Sequence, residues 1–568
     1  MTTIGIDFGT TNSAVAQWTA SGPDLIFLSQ EQVDADWEKY GYAPVMPSVY
    51  ASGPEGEALF GFDAFGSHAR FEAVKRLFTT QDDVAYDSEG NALLVEEVAT
   101  LLFAELLKRT RDTGADPERA VITIPANSRG LARHRTKICA GMGGVEVLAL
   151  INEPTAAAMA YGAKQHGDRR ILVFDWGGGT LDVTVLRAID GIFVEEASAG
   201  LPRRGGIDFD GRLRRAVLDK ITGTSDWSPA QQALFNRSIE LAKIQLSELP
   251  ETVLSLPDGR VHPVSRAEFE TATKSLVEDA RAPIERCLAD LGLHGDDIDS
   301  LLMVGGTSSI PAVRNLVAET IGREPESGVN PMTAVAEGAA IAAAVLTGEA
   351  SDRYDFLVTI EHSLGTVILN HDTLEQEFSE LIPRNSRIPC EATEVYQPVF
   401  KDQESVRIRV IEGDPAKTLD DLDNVILTEF DVDLPEDDDP SFDLTYKYDR
   451  DGILKVSVSR NGEGLGETVI SFGPIIDRGR LAKIAKRAKT AVADGMAPEP
   501  PSPEADADPE SSMLVQRALV NVLPFLDDEE AAPIRALVTA VQEASDEDMA
   551  DAVKLLKRAL VPYSYLWG

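Results

Sequence analysis

Hydrophobic and polar positions follow three rhythms along the chain. Up to about residue 352, short apolar runs such as IGIDF (4–8), AVITIPA (120–126), LALINEP (148–154), LVFDW (172–176) and LLMVG (301–305) suit buried strands. Between them lie stretches with apolar residues every three or four positions, such as EEVATLLFAELLKRTRD (96–112) and SRAEFETATKSLVEDARAPIERCLADLG (265–292). Strands alternating with long amphipathic helices predict an α/β fold. After residue 352 the period drops to two in ESVRIRVIEGD, SFDLTYKYDRDGILKVSVSR and GETVISFG, with RDG and RNG as hairpin-type turns. This predicts a linker over 353–362 and an antiparallel β-sandwich over 363–475. From 476 the helical spacing returns in DRGRLAKIAKRAKTAVADG. A Pro/acid segment, MAPEPPSPEADADPESS (496–512), is too polar to pack a core and predicts a linker ahead of helices over 513–562.

Within the first half, GIDFGTTNSAVAQW (5–18) and FDWGGGTLDVTVL (174–186) share one order: apolar strand, Asp, short Gly/Thr turn, polar residue, second strand. The echo predicts a duplicated α/β unit, two similar lobes facing each other. Glycines lack Cβ, so backbone N–H groups in such turns can approach phosphate oxygens. The threonine hydroxyl adds a donor, and the aspartate can hold Mg²⁺ through water. A lone Gly-rich turn can serve only to close a hairpin tightly. Two of them, each with an Asp on its strand, together with VGGTSS (304–309), predict a clamp on a polyphosphate.

Composition narrows the partners. At 568 residues the chain is too long for one core, so several domains are expected. The formal net charge of −41 disfavours nucleic acid and anionic membrane as partners. The acid-rich stretches DLPEDDDPSFD (433–443) and EADADPESS (504–512) read as solvated loops. Cys139, Cys287 and Cys390 lie too far apart for a disulfide framework or a close-spaced thiolate metal site, which fits a reducing cytoplasm. MTTIGIDFG does not read as a signal peptide, and AVAEGAAIAAAVL (334–346) is too short for a membrane span and carries a glutamate. A soluble, cytoplasmic protein is expected.

IGIDFGTTNS, VKRLF, AVITIPA, INEPTAAAMAYG, VFDWGGGTLDVTVL, GGIDFD and MVGGTSSIP occur in the order and spacing of the DnaK-type chaperones. The chain thus resembles the heat-shock protein 70 family. HSLG, LIPRNSRIP, SVRIRVIEGD and DRDGILKVSV resemble that family's peptide-binding β-domain, and the shortened tail resembles the short-lid bacterial HscC branch. The resemblance implies a two-lobed, actin-like α/β ATPase domain over 1–352, a peptide-binding sandwich over 363–475 and a short helical lid over 476–568. It implies ATP-controlled binding of unfolded, extended client polypeptides, with ATP or ADP and Mg²⁺ as cofactors and K⁺ as a further candidate ion. Asp7, Asp175 and Asp182 would organise Mg²⁺ and its waters. Gly9, Thr10, Thr11, Asn12, Gly177, Gly178, Gly179 and Thr180 would cradle phosphates. Lys75 would stabilise charge on the γ-phosphate, and Glu153 would lie near the attacking water, with positioning and electrostatics carrying the hydrolysis. Gly205, Gly206, Glu240, Lys243, Ser247, Gly305, Gly306 and Thr307 match positions around ribose and adenine. Pro125 and Arg133 match residues that report nucleotide state to the peptide domain. Thr366, Ile368, Leu369, Tyr396, Val399, Val406 and Ile408 match positions that wrap a bound peptide, although alternating strands bury apolar side chains in any case.

The departures from the family pattern bear on kinetics and coupling. Two arginines that usually stack on adenine are here Ile244 and Ser309. Each stack contributes about 1 kcal/mol, so nucleotide release faster than in typical members is expected. Asn127, Ser128, Arg129 and Gly130 replace the usual aromatic-polar stretch, Ala149 replaces an arginine that J-domain partners touch, and Val358 stands where the linker usually has aspartate. A dedicated J-domain co-chaperone with a nucleotide-exchange factor, or weak coupling, is expected over a general partner. The alternatives are a regulatory or scaffolding ATPase of the same family, a small-molecule kinase and an actin-like filament protein. The segment after residue 352 favours the chaperone.

Overall fold

The computed structural model describes the chain apart from residues 1, 29–43, 68, 79–83, 88–90, 163–166, 222–226, 328–329, 352, 361, 371–374, 401–402, 422–423, 435–439, 450–453, 471–477, 498–514, 516–517, 519–527, 543–548 and 561–568. The RDG turn and nearly all of the Pro/acid segment therefore lie outside the described residues.

Two sheets are built on one plan. In the first, Glu146–Asn152, Pro117–Ile124, Thr2–Phe8, Asn12–Thr19 and Gly22–Ile26 lie side by side. In the second the order is Ser300–Val304, Asp168–Trp176, Leu181–Ile189, Ile192–Leu201 and Asp355–Leu357. Each contains an antiparallel hairpin, Thr2–Phe8 with Asn12–Thr19 and Asp168–Trp176 with Leu181–Ile189, with parallel strands beside its first member. The echo in the sequence is thus a repeated supersecondary unit. Runs such as Ile171–Trp176 are apolar almost throughout because helices cover both faces, as parallel strands require.

Two helices rich in small residues, Glu153–Gly162 and Ala334–Leu346, pack together between the sheets. Among the described residues no helix is long and apolar enough to cross a membrane. The alanine-rich run 334–346 is instead buried on nearly all sides. Its Gly338 backs onto the Ala156 carbonyl so closely that a Cβ would overlap it.

The linker is not free. Asp355–Leu357 extends the second sheet by pairing in parallel with Ile192–Val194. Val358 and Ile360 then join an apolar cluster that runs into the sandwich. The sandwich has two four-stranded sheets. One is ordered Gln376–Ile382, Ser363–Leu369, Ser405–Gly413, Val425–Asp433, and the other Cys390–Tyr396, Phe442–Tyr448, Leu454–Arg460, Glu463–Ile470. Alternation delivers Val406, Ile408 and Val410 from one sheet, and Leu444, Tyr446, Val456 and Val458 from the other, to a shared core. The Tyr446 hydroxyl donates across it to the Gly365 carbonyl at 2.6 Å. The RNG turn closes with Asn461 and Gly462 at φ of 51° and 81°, as a primed hairpin turn needs.

The first tail helix, Arg478–Asp494, lies against the first lobe and not over the sandwich: Ala488, Ala491 and Val492 enter that lobe's core, and Arg487 Nε lies 3.1 Å from the buried Glu97 carboxylate. Asp528–Gln542 and Met549–Leu560 form a separate small cluster through Ile534, Val538, Val541 and Leu556.

Alanine in place of a mid-helix glycine ordinarily stabilises by about 0.5–1 kcal/mol, whereas overpacking costs about 1–3 kcal/mol. Gly338→Ala is therefore expected to lower the unfolding midpoint of the two-lobed domain in scanning calorimetry. An unchanged or raised midpoint would show that the two helices do not meet this closely.

Candidate functional site

The cleft between the lobes is lined by both hairpin turns, Gly9–Asn12 and Gly177–Thr180, with Asp7, Lys75, Pro125, Glu153 and Asp175. Gly206, Glu240, Lys243, Ile244, Gly306, Thr307 and Met332 continue the lining. Each turn is held from behind. Ser48 donates its hydroxyl to the Gly9 carbonyl at 2.8 Å and its N–H to the Thr11 carbonyl at 2.8 Å. The Gly177 carbonyl accepts from Thr307 Oγ1 at 2.8 Å and from the Gly206 N–H at 3.0 Å. The turns face each other so closely that a Cβ on Gly178 would run into the Thr11 side chain, and one on Gly179 into Thr10. Only glycines permit this approach.

Lys75 sits on the short helix Val74–Leu77 and is buried. Its Nζ donates to the Phe8 carbonyl at 2.6 Å and to Glu153 Oε1 at 2.7 Å, linking the first strand to the start of helix Glu153–Gly162. Around this pair the carboxylates crowd. Burial first, and then Glu153, pushes Asp7 up to about 7, with Lys75 and the Thr123 hydroxyl (3.1 Å) opposing. Asp175 rises well above the usual carboxylate range through burial and the charges of Glu153, Asp182 and Asp7. Asp182 rises to about 7 through burial and Glu153, and the Asn127 N–H (2.9 Å) and Thr180 hydroxyl offset only part of this. Asp182 Oδ2 is buried with no hydrogen-bond partner among the described residues. Crowded like charges with an orphan oxygen favour a positive charge nearby.

The residue after Lys75 spans the cleft. Arg76 Nη2 donates to Asp208 Oδ2 at 2.8 Å and to the Gly179 carbonyl at 3.1 Å, joining the first lobe to the second glycine turn. Asp208 also accepts from the Gly205 N–H at 2.6 Å, at the start of helix Gly206–Leu218. Further along, Lys243 Nζ bonds Asp210 Oδ2 at 2.7 Å and the Gly206 carbonyl at 3.2 Å. Burial first raises Glu240 to about 7, against the pull of Lys243. Ile244 packs with Ala14, Ala16, Val45, Ala336, Ala340 and Met332. The surface that lacks the stacking arginines is therefore aliphatic and thioether.

Not every residue proposed from sequence faces the cleft. Asp182 is the cross-strand partner of Asp175 and is fully buried, next to the cleft lining and not part of it. Gly205 and Gly305 abut backbone, of Gly178 and Trp176 respectively, and Ser247 Oγ returns to its own helix at Lys243 O (3.3 Å). Arg133 points away from the cleft, donating to the Ser128 carbonyl and to Asn152 Oδ1, both at 3.0 Å. In the sandwich, Thr366, Val406 and Ile408 are buried, with Thr366 Oγ1 donating to Arg409 O at 2.9 Å. Ile368, Leu369 and Tyr396 are part-exposed, the Tyr396 hydroxyl bonding Ser379 Oγ at 2.8 Å, and Val399 is exposed beside Phe400, which is 68% exposed.

Arg76, Thr123, Asp208, Met332 and Phe400 were missed. Adjacency to Lys75 was the available signal for Arg76, and membership of GGIDFD was the signal for Asp208.

Two lobes, two glycine turns and a buried lysine–carboxylate cluster define a phosphate-clamping ATPase of the actin-like class, here with an appended β-sandwich. The family model described as Hsp70 protein matches residues 67–559. A chaperone protein DnaK of Thermosipho melanesiensis is 35% identical over 493 residues, covering 83% of this chain and 80% of the relative. A chaperone protein dnaK of Cyanidioschyzon merolae is 34% identical over 532 residues, covering 86% and 84%. The chain belongs to the Hsp70 family.

Because Asp7 and Asp182 bind protons more tightly folded than unfolded, their contribution to stability is present at low pH and is lost as pH rises from about 4 to about 7. Asp182→Asn is therefore expected to raise the melting temperature of ligand-free protein above pH 7 by a few degrees. The same change should remove the extra thermal shift that ATP gives with Mg²⁺ over ATP with chelator.

Proposed function

We propose that ATP lies between the two turns, with its phosphates on the backbone N–H groups and hydroxyls of Thr10, Thr11, Asn12, Gly178, Gly179 and Thr180 and its base on the aliphatic face of Ile244 and Met332. The protein is an ATP-dependent chaperone of the Hsp70 family, and its ATPase is the engine of client binding. Lys75 places an ammonium where negative charge develops on the transferred phosphoryl group, and Glu153, held 2.7 Å away, orients the attacking water. Mg²⁺, when bound, supplies charge neutralisation and fixed geometry, and Asp7, Asp175 and Asp182 are the carboxylates that would hold it through water. Arg76 keeps the lobes closed over the phosphates. The observation that carries this reading is the Lys75–Glu153 pair, set beside the buried Asp175 and Asp182 and the part-buried Asp7 at two glycine turns.

The client is an extended apolar segment lying along the part-exposed Ile368, Leu369, Tyr396 and Val399, with Phe400 as added apolar surface and strand-like backbone bonds. The tail helix Arg478–Asp494 docks on the first lobe and not on this surface, which suits rapid exchange. The changed residues Asn127–Gly130 favour a dedicated J-domain partner with an exchange factor, and three cysteines spaced more than a hundred residues apart suit a cytoplasmic setting.

Lys75→Ala is expected to lower single-turnover hydrolysis by about 100-fold or more while ATP still binds. Unstructured apolar peptides should raise the steady-state rate of the native protein. Hydrolysis unaffected by Lys75→Ala would overturn the catalytic assignment. Indifference to every peptide would favour the regulatory or scaffolding reading.

A further inference from the structure

A carboxylate outside the cleft has no place in the mechanism above. Glu195 lies on the strand Ile192–Leu201, where alternation turns Phe193, Glu195 and Ala197 inward, and it is 1% exposed. Burying an ionised carboxylate is unfavourable unless hydrogen bonds replace its water. Here they replace part of it, and burial still holds the carboxyl above the usual carboxylate range. Asn152 Nδ2 donates to both of its oxygens at 3.1 Å, and Thr155 Oγ1 donates to Oε1. The other donors come from the interdomain linker: Thr359 N–H at 2.7 Å and Thr359 Oγ1 at 3.1 Å, both to Oε2.

Asn152 immediately precedes Glu153, and Thr155 follows it by two. The carboxylate that receives the linker therefore grips both flanks of the glutamate paired with Lys75. Asn152 is held from its other side by Arg133 Nη2 at 3.0 Å. Val358 carries no acid, so the charge at this junction is supplied by the lobe and not by the linker.

We propose that Glu195 is a positioning residue for ATP hydrolysis: with the linker docked it fixes Asn152 and Thr155, and through them sets Glu153 against Lys75. The proposal rests on the assigned role of Glu153. When Thr359 leaves, Glu195 loses two donors and its burial becomes unfavourable, so linker docking and the placement of Glu153 rise and fall together. Misplacing a water-orienting group by a fraction of an ångström slows chemistry without altering nucleotide affinity.

The test uses the full-length chain, single-turnover hydrolysis, ATP affinity and amide exchange at Thr359. Glu195→Gln retains the shape but puts an NH₂ among donors. It should slow single-turnover hydrolysis by about tenfold, leave the ATP Kd within about twofold and speed Thr359 amide exchange by about tenfold. Thr359→Val, which removes only the hydroxyl bond, should move both quantities the same way by about two- to threefold, and it serves where Glu195→Gln fails to fold. Hydrolysis at the native rate in these variants, or slowed hydrolysis with Thr359 exchange unchanged, would overturn the proposal. With Glu153→Gln slow and Glu195→Gln at native speed, the proposal fails alone. With Glu153→Gln at native speed, the role of Glu153 fails and takes the proposal with it.

Discussion

The arrangement of the first 350 residues follows from one electrostatic constraint: Asp175 and Asp182 are buried, Asp7 and Glu153 are part-buried beside them, and Lys75 is the ammonium set among them. Such a cluster is unfavourable in a ligand-free protein, because each carboxylate loses water and gains like-charged neighbours. Something else must hold it together. Here the framework is two hairpins of the same design, each carrying an aspartate at the end of a strand whose other residues are firmly packed. The repulsion between the charges is balanced by apolar burial on both sides, and a positive charge brought among them would relieve it.

The same geometry explains why the lobes close. Glycines at 178 and 179 allow the turns to approach, and Arg76 reaches from the first lobe to Asp208 and the Gly179 carbonyl. Gly338 permits the helices beneath to approach equally closely. Closure of the cleft and packing at its base thus depend on small residues at the points where the two repeats meet.

Much of this was legible in the sequence because it is local. Asp7–Asn12 and Asp175–Thr180 carry strand, turn and ligand chemistry in a few consecutive residues, and the period-two rhythm after residue 352 is that of the sandwich. What was not legible is what depends on distant partners. Arg76 reads as a surface arginine until Asp208 folds beside it. The aliphatic surface comes from Ile244, on helix Pro229–Glu248, and Met332, in the turn before helix Ala334–Leu346, two segments far apart in the chain. Val358 stands where the linker usually has aspartate, and it is the next residue, Thr359, that docks on Glu195. The one local sign of that residue was a glutamate at an inward position of an alternating strand.

The proposed cation and phosphate site among these raised carboxylates has a direct measurement. Titration calorimetry of preformed Mg-ATP near pH 7, repeated in buffers of different ionisation enthalpy, counts protons exchanged on binding. The account predicts net proton release, on the order of one proton per site, because Asp7 and Asp182 fall from about 7 when their charge is met. No release, or net uptake, would contradict it.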